Sequence, residues 1–492
     1  MIELALILMI LMPLFAGLLN ITIGKFSNKA RHAVSITTTL ILISLAVAML
    51  KTTLEGNILT YGVGGWSPPL GINLVADSLS ALIALIISSI GFLCVVYSTS
   101  YMKKFIGRPM YDSLLMFMIA GMNGVVLTGD LFNMFVFLEI SFITAYALVA
   151  FRGGPVEMEA SFKYMTLSMI AGFAFLLGIG LIYNIAGTLN IAHVAEMIGT
   201  IGNMKILTFA GISLIIGLGL VAAIVPLHAW LPDAHPAAPS PISALLSGVA
   251  VNVGLYGIIR ITYTMFGFQT IDIGPAIMTL GIATMIIGAA FALVQTDIKR
   301  LLAYSTICGV GYITLSLGIG TAGGIEGATF HIVNHALATA LLFLTVGCVI
   351  YRVGTREMGK MGGLLKHMPV EATTFLFGAL AIAGIPPFNG FISKLLIYRA
   401  CFDAGHFIPL AVSIAVSLLI LAVYVRAFQM IFLGGGNGRV QKGTIPASML
   451  APVLILAAAC LVIGILPDIG LGAVGEISKQ VLGSGAYIAA VL

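Results

Sequence analysis

Long runs of apolar residues, separated by short polar connections, extend over almost the whole sequence. A helix needs about 20 apolar residues to cross a bilayer, so the pattern predicts an all-α polytopic membrane protein. The segment 52–74 is too rich in glycine and proline for a helix and is predicted to be an external hairpin or loop. Residues 189–204 are predicted to form a short amphipathic helix at the membrane interface. Fourteen spans are predicted, at residues 2–24, 32–50, 76–101, 112–129, 131–151, 161–185, 206–226, 242–266, 275–295, 299–320, 327–350, 371–400, 406–433 and 448–467.

Proline interrupts two of these spans. Because proline removes a backbone donor and clashes with the preceding turn, span seven must break or kink around Val225 and Pro226. Span twelve contains Pro386 and Pro387, followed by the sequence FNGFISK. A break at membrane depth is tolerated only where protein or a water-filled cavity satisfies the freed backbone groups. Both interruptions therefore indicate a path for ions or solutes.

The two interruptions lie five spans apart, at matching places in two halves of the chain. Paired broken helices of this kind are typical of inverted-repeat transporters, whose sites lie near the middle of the membrane. We therefore expect helices one to three with an external loop in 1–111, a first five-helix repeat in 112–266, a second in 267–433, and a last helix with a tail in 434–492. A repeat with an odd number of helices must insert upside down relative to its twin.

Composition supports the membrane assignment and excludes several other classes. Hydrophobic residues make up 60% of the chain and charged residues only 8%, whereas soluble domains have about 25% charged residues. The net charge of +5 does not predict binding to nucleic acid, because the Lys and Arg residues lie in short loops and not on one basic face. The N-terminus lacks a cationic segment and a cleavage site, so it is predicted to be the first span.

No cofactor, metal or redox centre is predicted for this chain. Its five cysteines stand alone and form no disulfide framework, iron–sulfur motif or zinc motif. The sequence also lacks a dinucleotide-binding loop and a haem motif. The chain is therefore not expected to be a redox enzyme by itself.

The distribution of Lys and Arg predicts the orientation. Loops after odd-numbered spans contain sixteen of these residues, from Lys25 to Lys442, whereas loops after even-numbered spans contain only Lys51 and Lys205. Cytoplasmic loops carry an excess of Lys and Arg. We therefore expect an integral membrane protein with both termini on the outer side and the loops after odd-numbered spans in the cytoplasm.

Two ionisable residues lie inside the predicted spans, where the cost of burial favours a functional role. Glu139 lies about eight residues into span five, so its carboxyl group cannot reach water by bending towards the surface. A buried carboxyl group without a cationic neighbour changes its protonation with small changes nearby, and the alternative is a structural hydrogen bond. Lys394 follows the break in span twelve, where desolvation favours release of its proton. Its alternative is a lysine that reaches the interface through its long stem.

Histidines occur in span eleven and at the first break. His331 and His335 are four residues apart, on one helix face. Zinc is not predicted, because no glutamate lies between them and no third ligand is present. A water-linked proton path suits histidines, with helix–helix hydrogen bonds as the alternative. His228 and His235 at the first break have the same two interpretations. Three further charged residues lie near predicted helix ends and are expected to extend to the interface: Arg260, Arg399 and Arg426.

Several long motifs occur in a fixed order: PLHAWLPDAHPAAPSPISALLSG, GLYGIIR, QTDIKRLLAYSTICGVGY, FHIVNHALATALLFL and GIPPFNGFISK. They resemble the antiporter-like subunits shared by respiratory complex I, Mrp-type cation/proton antiporters and energy-converting membrane-bound hydrogenases. The resemblance covers roughly residues 70–433. The length of the chain and the lack of a long lateral helix are most similar to the D-type Mrp subunit and its hydrogenase counterparts.

The resemblance implies a fourteen-helix fold with two inverted repeats and broken helices seven and twelve. It also implies a chain of ionisable groups along the middle of the membrane. The implied partners are sister antiporter-like subunits and small membrane subunits in the lipid bilayer, with a peripheral redox module as a further candidate. In this comparison Glu139 matches the family's glutamate of span five and Lys394 its lysine or glutamate of span twelve. His331 and His335 match its histidines of span eleven.

The sequence departs from the family at three lysine positions. The lysine expected before the PLHAWLPDAH motif is Val221, the lysine of span eight is Asn252, and the lysine of span eleven is Thr339. Neither asparagine nor threonine can change its charge, although both can hold water. Three consequences are open. Glu139 pairs with a group of a neighbouring subunit, or this subunit no longer conducts by the usual route, or protons pass through bound water and a series of side chains: His228, Asn252, Thr339, His331 and His335.

Three functions are compatible with these features. We expect an ion-translocating subunit that moves protons, with Na⁺ as an open second cargo, within a respiratory or Mrp-type complex. The alternative is a structural or adapter subunit that does not conduct, because the three lysines are replaced. A transporter that acts alone is disfavoured by a resemblance over most of the chain.

Overall fold

The protein is almost entirely helical, as the apolar spans predict. The computed structural model describes residues 2–105, 108–200, 204–268, 270, 273–435 and 444–492. Two cations that contribute to the predicted orientation, Arg439 and Lys442, lie outside these ranges.

Helices of the first half precede and include the first interruption. They are α1 (Glu3–Ile23), α2 (Asn28–Leu54), α3 (Ser78–Tyr101), α4 (Arg108–Leu127), α5 (Leu131–Val149), α6 (Pro155–Ala186), α7 (Ile191–Met197), α8 (Met204–Val221), α9 (Leu231–Ala237), α10 (Ser240–Leu245) and α11 (Val251–Ile259). A π-helical turn at Leu246–Ala250 joins α10 to α11, and a second at Arg260–Met265 extends α11. These four segments together form one continuous helix of membrane-crossing length.

Helices of the second half include the second interruption and a tail. They are α12 (Gly274–Val294), α13 (Ile298–Gly318), α14 (Ala322–Val353), α15 (Pro369–Ala383), α16 (Asn389–Asp403), α17 (Phe407–Phe428), α18 (Ala447–Ile465), α19 (Asp468–Leu482) and α20 (Ser484–Val491). A π-helical turn at Gln429–Leu433 extends α17. Within the described residues, thirteen helices are long and apolar enough to cross a membrane. The predicted span 371–400 is instead two helices of 15 residues each, α15 and α16.

The connection predicted at 52–74 contains a small antiparallel hairpin. Strand β1 (Leu59–Gly62) pairs with β2 (Asn73–Ala76), and Leu59 lies opposite Ala76. The short helix predicted at 189–204 is α7 with a 3₁₀ turn at Ile198–Thr200, and residues 201–203 lie outside the described part. Further 3₁₀ turns occupy Val63–Gly65, Met102–Lys104, Ala150–Arg152, Met358–Lys360 and Leu364–Lys366.

Polar side chains fix the first turns of several helices. The backbone N–H of Ser80 donates to Asp77 at 2.9 Å, and the N–H of Lys299 donates to Asp297 at 2.8 Å. Such caps satisfy backbone donors that have no partner within the helix. The helix that begins after Asp297 therefore includes Lys299 in its first turn.

The centre of the bundle consists of α13, α14 and the continuous helix from Ser240 to Met265, which are largely buried. Helices α12 and α13 approach closely because glycines line their interface. A Cβ atom on Gly288 would lie 2.5 Å from the backbone nitrogen of Cys308, and one on Gly311 would lie 2.4 Å from that of Met285. Small residues permit such backbone contact between membrane helices.

The side chain of Arg260 does not extend to the protein surface, contrary to the expectation from its place near a helix end. Its guanidinium is 1% exposed and donates to both carboxylate oxygens of Asp77, each at 2.8 Å. Tyr487 of α20 lies over this guanidinium, with the ring centroid 4.8 Å from Cζ. The buried pair therefore joins the start of α3 to the end of α11 and to the C-terminal tail.

Two other cations that the sequence analysis assigned to loops are also buried within helices. Arg31 of α2 contacts the carboxylate of Asp112 at 2.5 Å. Lys299 of α13 is 1% exposed. Their presence in helices does not alter the predicted orientation, but it removes them from the loops on which that prediction relies.

Candidate functional site

The first interruption lies between α8 and α9. Helix α8 ends at Val221, five residues before the proline at which the sequence placed the break. The freed groups are satisfied by neutral partners: the N–H of Val225 donates to Thr284 Oγ1 at 3.1 Å, and the indole of Trp230 donates to the carbonyl oxygen of Leu220 at 2.9 Å. The break is therefore stabilised without an ionised side chain at these two groups.

The second interruption lies between α15 and α16. Gly384 ends α15 with a φ of +78°, a left-handed conformation that favours glycine. The carbonyl oxygen of Ala383 accepts hydrogen bonds from Lys394 Nζ at 3.2 Å and from Ser417 Oγ at 2.8 Å. This break is thus stabilised by an ammonium group, in contrast to the first.

Lys394 is buried in the second interruption. Its side chain is 3% exposed, and Nζ also contacts Ser417 Oγ at 2.7 Å. The ring centroid of Tyr312 lies 4.6 Å from Nζ. None of the described carboxylates comes within ion-pair distance of this ammonium. Buried charge with only neutral partners is costly, which is the condition under which a lysine exchanges its proton easily.

The histidines of α14 lie beside this lysine. His331 Nδ1 is 2.9 Å from Ser393 Oγ, and Ser393 immediately precedes Lys394 in α16. The imidazole rings of His331 and His335 have centroids 6.3 Å apart. The ring of His335 fills the space over Gly309, where a Cβ would lie 2.3 Å from Cδ2. Three of the predicted site residues are therefore neighbours.

Further hydroxyl groups extend this arrangement towards α10. His335 lies beside the backbone of Thr306, whose Oγ1 is 2.6 Å from Ser247 Oγ. One helical turn earlier, Ser243 contacts Lys299 Nζ at 3.0 Å. We refer to this series as the polar row, which consists of Lys299, Ser243, Ser247, Thr306, His335, His331, Ser393 and Lys394.

Lys299 is the functional candidate that the sequence analysis missed. Its Nζ donates to the carbonyl oxygen of Ala238 at 2.7 Å and lies 3.4 Å from that of His235, in addition to the contact with Ser243. It was counted as a loop cation because it precedes the first long apolar run of its span. The capping position of Asp297 was the available signal, since it places Lys299 within the helix.

His235 is enclosed next to Lys299. Its ring packs at right angles on Trp230 and Phe343, with centroids 6.2 and 5.1 Å apart. Neither ring nitrogen has a hydrogen-bond partner among the described residues. Burial and the nearby Lys299 charge lower the pKa of His235 to about 3, so the imidazole is neutral.

His228 lies apart from the polar row. The residue is half-buried in the connection between α8 and α9, and burial lowers its pKa from the ordinary value. Its Nδ1 atom has no partner within the described chain. The geometry therefore provides no contact between His228 and the other predicted site residues.

Glu139 also lies apart from the row, on the outer side of α5. Its Oε1 atom is 2.8 Å from the position of a Cβ on Gly172, so the carboxyl group lies against α6. It makes no hydrogen bond or ion pair with any residue in the described ranges. Exposed apolar residues on the same helix face, Val136 and Ile143, flank it. The half-buried carboxyl group is thus on a surface that faces lipid or another subunit.

Two of the three positions at which lysine is replaced carry side chains that donate within their own helix, although Asn252 Oδ1 has no hydrogen-bond partner among the described residues. Val221 lines a cavity of about 20 Å³, mostly with apolar neighbours such as Met122 and Leu138. Asn252 donates to the carbonyl oxygen of Gly248 at 2.8 Å, and Thr339 donates to that of His335 at 2.6 Å. A space of this size holds about one water molecule.

A cavity of about 500 Å³ lies next to Lys299, and we call it the polar vestibule. Asp233 contacts Lys163 at 3.1 Å and Arg300 at 3.3 Å on its wall. Pro236 and Ala237 also line it, and they lie between the two carbonyl groups that hold Lys299. The vestibule is therefore separated from the buried ammonium by one short helical segment.

Two sequence-family models match the chain. One is described as "NADH:quinone oxidoreductase/Mrp antiporter, TM" and matches residues 128–420, and the other as "NADH-Ubiquinone oxidoreductase (complex I), chain 5 N-terminus" and matches residues 66–111. The first contains every residue of the polar row. The first match falls within the part of the sequence that carries the resemblance, and the second overlaps its start.

Curated relatives match over nearly the full length. The N subunit of NADH-quinone oxidoreductase from Desulforudis audaxviator is 34% identical and covers 93% of this chain and 95% of its own. The D subunit of the Na(+)/H(+) antiporter from Alkalihalophilus pseudofirmus is 32% identical and covers 99% of each chain.

Two solved structures are similar over the whole chain. A chain of the Mrp complex from Dietzia sp. DQ12-45-1b superposes with a TM-score of 0.93 at 27% identity, covering 100% of this chain and 99% of its own. A chain of the membrane-bound sulfane sulfur reductase, an archaeal respiratory membrane complex, gives a TM-score of 0.91 at 31% identity and covers 100% of both.

Proposed function

The chain belongs to the family of antiporter-like membrane subunits of NADH:quinone oxidoreductases and Mrp antiporters, and on that premise we propose that it conducts protons through its second half. The observation that carries this proposal is Lys394, a buried ammonium group at an interrupted helix with only neutral partners. Loss of a proton removes the cost of burying its charge. Its pairing with Ala383 and Ser417 provides oxygen atoms that stabilise the charged form.

The neighbours of Lys394 support a proton path. An imidazole both accepts and donates a proton through its two nitrogens, and hydroxyl groups do so through one oxygen. His331 contacts Ser393 directly, while the step from His331 to His335 spans 6.3 Å between ring centroids. That step requires a bridging water or a ring rotation. Neither ring nitrogen of His335 has a hydrogen-bond partner among the described residues, so a proton that leaves Lys394 passes along α14 only when such a bridge forms.

Protons suit these side chains better than Na⁺. A sodium ion requires several oxygen ligands, as hard cations do, whereas the polar row has an ammonium group at each end and two imidazoles next to Lys394. Positive groups repel a metal cation. Relatives named as Na(+)/H(+) antiporter subunits leave Na⁺ as the second cargo to be tested in the assembled complex.

We infer a multisubunit complex as the working form. Solved relatives of this chain occur in an Mrp complex and in a respiratory membrane complex. The carboxyl group of Glu139, on an apolar outer surface, is stabilised if a sister subunit supplies a cation or a hydrogen-bond donor. A buried charge without a partner costs several kcal/mol, so lipid is the less favourable neighbour. A peripheral redox module is a further candidate partner.

We also infer that the two interruptions belong to two inverted five-helix repeats. The first repeat is 112–266 and the second 267–433, with 1–111 and 434–492 outside them. The order of helices supports this division, because the interruption falls in the fourth spanning helix of each repeat. We propose the prokaryotic cytoplasmic membrane as the location, with both termini on the outer side and the polar vestibule facing the cytoplasm.

An adapter subunit without conduction is the second candidate function. The small apolar cavity at Val221 and the isolation of Glu139 favour it, because the first half lacks a continuous series of polar groups. Under this alternative Lys394 would only fasten α16 to α15. The two functions differ in whether transport depends on the proton of Lys394.

The test is Lys394→Met in the intact complex, assayed for proton and Na⁺ flux in membrane vesicles. We expect roughly a 100-fold loss of proton flux, the scale on which loss of a proton-transferring group acts, with the complex still assembled. Arg399→Met on the same helix is the matched control, since its side chain is 79% exposed and pairs only with Asp403, and it should retain the flux.

Full proton flux in an assembled Lys394→Met complex would refute conduction through this lysine and support the adapter role. The variant Lys394→Arg separates the effect of the positive charge from the effect of proton exchange, because a guanidinium keeps its proton at any physiological pH. Transport by Lys394→Arg at the normal rate would also contradict the proposal.

A further inference from the structure

Lys299 is a second buried lysine, and the proposed function does not assign it a role. It is a fully buried ammonium group held by two carbonyl oxygens and one hydroxyl oxygen. Within the described residues no carboxylate contacts it within ion-pair distance. The two carbonyl groups belong to the end of α9 and stabilise the cation, but an unpaired buried charge is expensive.

The charges that surround Lys299 add to this cost. Arg152 and Arg356 act on it from two other elements, and Asp297 is the opposing carboxylate. Asp297 is already paired with Arg356 at 3.2 Å. The remaining titratable neighbour, His235, is neutral. The opposing carboxylate is therefore held by Arg356, and Lys299 is surrounded by neutral oxygen atoms and positive groups.

The position of Lys299 connects two features. On one side lies the polar vestibule, whose wall includes Pro236, Ala237 and Asp297. On the other side Ser243 begins a helix face that continues, one turn later, with Ser247 and its 2.6 Å contact to Thr306. Lys299 is thus the member of the polar row closest to a water-accessible space.

We propose that Lys299 is the residue through which protons enter the polar row from the vestibule, in place of the lysines that are absent at positions 221, 252 and 339. This inference rests on the proposed function and identifies the residue at which protons enter the polar row. A water in the vestibule delivers a proton to the neutral amine, and the ammonium then binds the carbonyl oxygens of His235 and Ala238. The ammonium then gives one proton to Ser243 Oγ, 3.0 Å away, and is left as the neutral amine. At the same time the Ser243 hydroxyl, which otherwise donates to the His235 carbonyl at 2.8 Å, passes its own proton to a water that leads to Ser247.

Substitution of Lys299 in the intact complex tests this role, with proton flux in vesicles measured across a range of pH. Lys299→Met removes the exchangeable proton at similar size, and we expect roughly a 100-fold loss of flux. Lys299→His restores an exchangeable group of lower basicity, with an ordinary pKa of about 6.5 against about 10.4 for lysine. We expect partial flux with a pH profile displaced towards acid.

Lys360→Met is the control, because it removes one exposed lysine that pairs with Glu357 in a surface turn. Normal flux in Lys299→Met, or an unshifted pH profile in an active Lys299→His complex, would overturn the proposal. Lys299→Arg keeps the charge and the donors, so normal flux in that variant would assign Lys299 a structural role only.

Ser247→Ala keeps the test decisive if the Lys299 variants do not assemble. It removes the contact with Thr306 and leaves both lysines in place, and we expect a loss of flux of roughly 10-fold. Normal flux in an assembled Ser247→Ala complex would overturn the entry route. If Lys394→Met abolishes flux while Lys299→Met retains it, this inference fails alone; if both retain it, the proposed function fails as well.

Discussion

At each of the two interrupted helices a side chain donates a hydrogen bond to a freed backbone carbonyl group, but the donors differ in their chemistry. At the first, the carbonyl group of Leu220 accepts from a backbone N–H at 3.0 Å and from the indole of Trp230. At the second, the carbonyl group of Ala383 accepts from the ammonium of Lys394 and the hydroxyl of Ser417. One break thus depends on neutral donors, whereas a donor that can lose its proton stabilises the other.

The surroundings of the first break are apolar, whereas those of the second are polar. Val221 lines a small apolar cavity, whereas Lys394 continues into a row of hydroxyl and imidazole groups. A broken helix in a membrane requires only that its backbone groups be satisfied. A break is therefore not itself evidence of conduction. The side chain that donates to the freed backbone carbonyl group decides whether the break can take part in proton transfer.

The largest difference is expected from glycine substitutions near the two breaks. A Cβ on Gly390 would lie 1.8 Å from the carbonyl oxygen of Ala381, and backbone atoms cannot move aside as a flexible side chain can. Gly390→Ala should destabilise the subunit by about 3 kcal/mol, the upper range for overpacking. The measurement is the yield of intact complex and its apparent melting temperature in detergent.

Gly219→Ala is the matched variant at the first break. Its new Cβ would meet Leu227 Cδ1 at 3.5 Å, which is ordinary contact, and alanine favours a helix over glycine by about 1 kcal/mol. We expect normal yield and melting temperature. Equal losses in the two variants would mean that the second break is no more tightly packed than the first.

A second pair of variants removes one donor from each break. Trp230→Phe deletes the indole N–H and part of a ring that stacks on Tyr164 at 4.2 Å, so we expect about 2 kcal/mol lower stability and normal flux per assembled complex. Ser417→Ala leaves Lys394 bound to Ala383, so stability should fall by less than about 1 kcal/mol, while flux falls because the ammonium loses its shortest contact. Melting temperature and flux of the same preparations separate the two effects.

A reversed pattern would contradict the contrast between the breaks. If Trp230→Phe lowered flux at normal stability, the first break would take part in conduction. If Ser417→Ala lowered stability alone, Lys394 would act as a structural anchor, as the adapter function requires.

Much of the fold follows from local sequence, because apolar run length and proline act within one helix. The thirteen described crossing helices confirm most predicted spans, and α8 and α15 end near the prolines of the two motifs. The end of α8 at Val221 was not predicted, since the turn depends on the long-range contacts of Val225 and Trp230 with their partners.

The site was only partly predictable for a similar reason. Regular helix spacing and the family motifs brought together His331, His335 and Lys394. The partners of Arg260 and Lys299 could not be found in this way, because Asp77 lies 183 residues from Arg260 and Ala238 lies 61 residues from Lys299. Hydropathy alone counts both cations as exposed, since it contains no information on which carbonyl or carboxylate groups fold over them.

Substitution of Glu139 has the smallest expected effect, and it tests whether the first half of the chain takes part in conduction as the second half does. Its carboxyl group makes no hydrogen bond or ion pair within the described chain, so Glu139→Gln should leave the stability of the subunit itself unchanged. If a sister subunit's cation faces this carboxyl group, loss of the charge should reduce proton flux by roughly 5-fold, equivalent to about 1 kcal/mol. Flux in vesicles is compared with that of Glu159→Gln, an exposed carboxyl group of α6 that pairs with Lys163. Unchanged flux in Glu139→Gln would separate the first half from conduction altogether, and a loss as large as that of Lys394→Met would mean that both halves conduct in series.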